Sequence, residues 1–132
     1  MSKGVILAGL LLLAVIAAGC SKEGEFKEIT RPVLSVNKYY SSGINVASKD
    51  DAIMAFNEFV EWSKNNRNST LLGIADTVES IIVEDAEPYG IYKGTKYWVV
   101  AYSYYDKSAQ QTGRSQVQIS ENGDIVIFLS GA

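Results

Sequence analysis

Apolar residues recur along this chain in three rhythms, and each rhythm predicts a different element. Residues 4–19, GVILAGLLLLAVIAAG, are an unbroken apolar run preceded by a single charge, Lys3. From Cys20 the chain turns polar at once, as SKEGEFKEITR. The second rhythm is helical. Ala52, Ala55, Phe56, Phe59 and Val60 repeat at three- and four-residue spacing, a single apolar stripe, which predicts a helix over 49–65. Ser48 stands at its N-cap position, Asp51 three residues on, and Asp50 adds negative charge at the positive end of the dipole. Asn65, Asn66 and Asn68 are expected to stop it through their tolerance of left-handed backbone.

The third rhythm is alternation, the mark of strands. RPVLSVNKYY (31–40) leans to β but contains a proline, so it predicts an edge or irregular strand. Val78 to Val83 is a β-branched run expected to end at Glu84, Asp85, Glu87 and Pro88. Tyr89–Tyr92 and Tyr97–Tyr105 flank a turn at Lys93-Gly94-Thr95-Lys96. DKSAQQTGR (106–114) reads as a polar loop, and 69–75 as one short helical turn. SQVQIS then sets Val117 and Ile119 against Gln116 and Gln118 on opposite faces. Asn122-Gly123 is a hairpin signal, and IVIFL (125–129) closes the sheet. The expected fold is α+β: one long helix laid across an antiparallel sheet of four to five strands, in a single domain spanning 31–132 and preceded by a signal peptide.

Composition narrows the chemistry. The chain has 132 residues, a formal net charge of −3, no histidine, and one cysteine, Cys20. Without imidazole or a second thiol, a Cys/His zinc site, an internal disulfide and a His-based triad are excluded. The acidic balance with no basic patch argues against nucleic acid as a partner. No cofactor motif of the P-loop or G-x-G-x-x-G kind is present.

The N-terminal pattern supplies an address. A basic start, about fifteen apolar residues and small residues at their end describe a secretory signal peptide. Fifteen residues of helix span roughly 22 Å, short of a ~30 Å hydrocarbon core. Ala17-Ala18-Gly19-Cys20 resembles the lipobox of bacterial lipoproteins, although Ala17 departs from the usual leucine. The resemblance implies cleavage before Cys20 and acylation of its thiol. Residues 1–19 would then be leader, 20–30 a lipidated tether, and the location a cell membrane or outer membrane, facing periplasm or exterior. Ser21 favours the outer membrane in a diderm cell. The competing outcome is a plain secretory cut that leaves Cys20 as a free thiol. Processing would leave 113 residues and, with Lys3 gone, a charge of −4.

SKDDAIMAFNEFVEW (48–62), GTKYWVVAYSYY (94–105) and SQVQISENGDIVIF (115–128) resemble PepSY-type and cystatin-like domains of secreted and lipid-anchored bacterial proteins. That resemblance implies a non-catalytic module that binds partners or restrains proteases, and it carries over no named site. The residues themselves offer a tyrosine surface. In an extended 97–105, Tyr97, Val99, Ala101, Ser103 and Tyr105 share one face and Trp98, Val100, Tyr102 and Tyr104 the other. With Trp98 and Val100 turned to the core, Tyr97 and Tyr105 stay partly open beside Tyr89 and Tyr92, a surface suited to a protein or glycan partner. Cross-strand packing that stiffens the sheet is the plainer role for the same rings. Glu84, Asp85 and Glu87 could supply paired carboxylates to a hydrolase, or form a solvated strand end. A third role is assembly, with the domain docking on a larger envelope complex through a sheet edge.

Overall fold

The computed structural model describes residues 25–66, 80–107 and 109–131. Cys20, the expected turn at 69–75 and the start of the Val78 run lie outside them. The elements in chain order are β1 (Val33–Ser41), α1 (Lys49–Lys64), β2 (Ile82–Tyr92), β3 (Thr95–Asp106), β4 (Gln111–Ser120) and β5 (Asp124–Ser130). One sheet holds all five strands in the order β1-β5-β4-β3-β2, with every strand pair antiparallel. The fold is α+β, one helix packed on a five-stranded antiparallel sheet. Among the described residues no helix is long and apolar enough to cross a membrane.

Local chemistry explains where α1 begins and ends. The Ser48 side chain accepts the Asp51 N–H at 3.2 Å, and Asp51 Oδ2 accepts the Ala47 N–H at 2.9 Å, so cap and third residue satisfy donors reciprocally. The stop differs from expectation. Asn65 is right-handed, with φ −100°, and it is the Asn66 side-chain amide that closes the end by donating to the Trp62 carbonyl at 2.8 Å. The stripe Ala52, Ala55, Phe56, Phe59 is fully buried against Val100, Val117, Ile119 and Ile125 of the sheet. Each large side chain buried this way contributes about 2–3 kcal/mol. Phe56 stacks on Tyr102 with ring centroids 5.1 Å apart, and Tyr40 leans on Phe59 and Trp62. Ser63 continues the stripe, and its buried hydroxyl has no hydrogen-bond partner among the described residues.

Two strands run further than their sequence suggests. β2 does not end at the acidic cluster but passes through Glu84, Asp85, Glu87 and Pro88 to Tyr92. It is an outer strand, where proline is tolerated, and register shifts at Glu84 and Tyr89 absorb the irregular residues. β4 likewise begins at Gln111, inside the stretch expected as a loop. Polar residues suffice there because this end of the sheet is exposed, and Gly113 leaves room for its cross-strand partner. A Cβ on Gly113 would lie 2.6 Å from the Tyr104 ring. The β2–β3 hairpin is tight, because Lys93 (φ +50°) and Gly94 (φ +82°) form a two-residue left-handed turn.

The stretch expected as a tether joins the domain from Phe26 onward. The Phe26 ring meets Trp98 edge-on at 5.0 Å. The Ile29 N–H then donates to Ile91 O, and the Ile91 N–H to Lys27 O, both at 2.9 Å. Gly90 permits this contact, since a Cβ there would lie 2.5 Å from Ile29 Cγ1. The chain continues past Arg31, beside Tyr89, into β1 at the opposite edge of the sheet. Residues 26–32 therefore act as a strap from one edge strand to the other.

Candidate functional site

The sheet has two faces. Trp98, Val100 and Tyr102 point to the helix and are buried, as their alternation predicts. Register places Tyr97, Val99 and Ala101 on the other face, beside Ser120, Gln118 and Gln116 of β4. Val126 and Phe128 of β5 continue that face. β5 itself arches over the part nearest Tyr97, where Gln118, Ser120 and Val126 are buried, while the part around exposed Gln116 stays open.

Three of the four expected tyrosines meet there, around a residue that sequence reasoning did not single out. The Phe128 ring lies 5.3 Å from Tyr89, 5.6 Å from Tyr92 and 4.9 Å from Tyr97, the last two edge-on. By strand register alone Phe128 would be level with Ala101, four residues from Tyr97. It reaches the tyrosines because β5 leaves β4 after two paired positions, Gln118↔Val126 and Ile119↔Ile125, and swings across the face. Gln118, buried to 5% exposure, fills the opening: its side-chain carbonyl accepts the Phe128 N–H at 3.3 Å. The signal was present in DIVIFLS, whose alternation sets Val126 and Phe128 apart from Ile125 and Ile127.

All four rings of the cluster are half-buried rather than open. Cations flank them. The Arg31 guanidinium donates to the Tyr89 hydroxyl and sits 5.1 Å from that ring's centroid, and Lys93 Nζ sits 5.4 Å from the Tyr92 centroid. Burial, followed by the charge of Asp124, pushes the Tyr97 phenol above its ordinary value of 10. Tyr105 does not join them. It is 42% exposed, paired with Thr112, and eight residues along β3 from Tyr97, roughly 26 Å in an extended strand.

Further along the same face lies an open depression of about 460 Å³ lined by Glu84, Ala101, Arg114, Ser115 and Gln116. Glu84 Oε1 accepts from both Nε (3.1 Å) and Nη2 (2.5 Å) of Arg114. The hydrogen bond first, and the carboxylate's charge second, raise the Arg114 pKa above its ordinary value. Asp85 does not line the depression, and its carboxylate faces Lys49 at 3.6 Å. The two carboxylates thus have different partners and do not converge in this pocket. Among the described residues no group of three acidic or thiol side chains could hold a metal ion.

Together these define a class by architecture: an α+β domain with a helix-covered core face and a second face bearing an aromatic cluster and a polar depression. No known family, curated protein or solved structure matches the chain.

Proposed function

We propose that this chain is a lipid-anchored envelope protein, held at a cell membrane or outer membrane through an acylated Cys20, that acts as a non-enzymatic binding module for a protein partner or a glycan. The anchor is supported by the apolar leader and the Ala17-Ala18-Gly19-Cys20 motif. The binding role is supported above all by the sheet face away from the helix, where half-buried tyrosines and an open polar depression occur side by side. Tyrosine offers contact area at low entropic cost together with a polar tip, and the depression adds donors and acceptors of fixed direction. A module that restrains a protease would use the same face.

The test is a pull-down from detergent-solubilised membranes with the native chain and a Cys20→Ala control, alongside intact mass of the recovered protein. A chain beginning at Cys20 with diacylglycerol mass, together with a partner lost in the control, is the expected result. A full-length, unacylated chain in the soluble fraction contradicts it.

An assembly role is favoured by one observation. β1 is an outer strand, and its Leu34 is 74% exposed near Leu129, itself 39% exposed, which gives an apolar edge to which another strand could be added.

A further inference from the structure

The strap has a consequence for how the anchored protein stands on its membrane. If Cys20 carries the acyl chains, as proposed above, Phe26, whose ring is seated on Trp98, follows only six positions later. Six residues reach at most about 22 Å. The point of attachment is itself at one end of the molecule: Trp98 lies four residues from Gly94, roughly 13 Å from the tip of the β2–β3 hairpin. The opposite end of β3, at Asp106, lies eight residues from Trp98, roughly 26 Å away. A tether this short cannot let the two ends exchange places freely.

Side chains at the near tip suit a headgroup layer. Tyr92 is half-buried with Lys93 over its ring, and exposed Lys96 sits 5.4 Å from the Phe26 centroid. Aromatic rings with ammonium groups beside them are the composition of a membrane interface. The outward side of α1 presents Asp50, Glu58 and Glu61, which anionic lipid repels. Glu25 and Glu28 offset Lys27 and Arg31 along 25–31, and Glu121, whose carboxylate accepts the Lys96 N–H, stands at the tip as well, so the tether rather than net charge sets the orientation.

We propose that the β2–β3 hairpin tip, Tyr92 to Lys96, is the membrane-facing surface of the anchored protein, with Tyr92, Lys93 and Lys96 at the lipid headgroups. The sheet face away from the helix then stands upright, its aromatic cluster near the bilayer and its depression further out. The experiment uses acylated full-length protein in vesicles of phosphatidylethanolamine and phosphatidylglycerol doped with headgroup-nitroxide lipid. A fluorophore is placed at Lys93→Cys or at Gln111→Cys, both exposed, with the Cys20 thiol blocked by its own acyl chain. Quenching at position 93 should exceed that at 111 several-fold, and Phe26→Ala, which lengthens the free tether, should shrink the difference. Equal or reversed quenching in protein of verified acyl mass overturns the orientation and leaves the anchor standing. Protein without acyl mass overturns both.

Discussion

The two faces of this sheet are made by alternate residues of the same strands, yet they are built on different terms. Toward α1, Val100, Val117, Ile119 and Ile125 are wholly removed from water and meet Phe56 and Phe59. Away from it, Phe128 and three tyrosines are only half-buried, and the deeply buried Gln118 uses its amide where the β4–β5 ladder stops. The first face gains from shape and area alone. The second keeps phenol hydroxyls and flanking cations at half-exposed positions, at some cost in burial. One face is wholly given to the core; the other keeps the part-open surface that the proposed binding role would use.

The sharpest contrast is obtained by truncating the central ring on each side. Phe56→Ala leaves a cavity under a fully buried stripe and should destabilise the domain by about 3–5 kcal/mol in urea unfolding. Phe128→Ala removes the ring that three tyrosines share, but from a half-exposed place, and should cost about 2 kcal/mol. Equal losses would mean that the second face is simply another core. Gly90→Ala forces Ile29 aside and should cost about 1–2 kcal/mol, with faster amide exchange at Ile29 and Ile91 while α1 stays protected.

Alkaline pH should also act on the aromatic cluster. The native Tyr97 phenol is held protonated above its ordinary value of 10, chiefly by burial, whereas the unfolded phenol ionises near 10. This stabilisation is complete below pH 10 and is lost as pH rises through the native value. The urea midpoint should therefore fall above about pH 10, less steeply in Tyr97→Phe. Tyr102 on the helix face, raised by burial against an opposing hydrogen bond from Ser115, keeps the remaining slope. The smallest effect is expected of Ser63→Ala, which removes a buried hydroxyl without a partner among the described residues. Its melting midpoint should hold or rise, a gain of about 0–1 kcal/mol.

Much of the helix face was legible in the sequence, because periodicity reports burial directly. The stripe from Ala52 to Phe59 and the inward set of Trp98 and Val100 read correctly for that reason, and turn residues marked Asn122-Gly123 and a turn at 93–96 that closes in only Lys93 and Gly94. The second face was legible only in part. Alternation placed Tyr97 opposite Trp98, but it carries no information on which distant strand a ring will touch. The gathering of Tyr89, Tyr92 and Tyr97 on Phe128 depends on β5 parting from β4, a long-range event. Tyr105 was grouped with them because neighbours in one strand look equivalent until their height along it is known. β2 and β4 were read short because proline, acids and glutamines mark loops on average, whereas an outer strand and an exposed sheet end accept them.

The division between a folding face and a binding face is tested most directly by photocrosslinking in living cells. A benzophenone amino acid is installed at Gln116 on the sheet face away from the helix or at Glu58 on the outward side of α1, both exposed and neither in the core. The account predicts one discrete, reproducible adduct from position 116 and none from 58, with the adduct lost in Cys20→Ala. An adduct from 58 alone, or equal labelling from both positions, would contradict it.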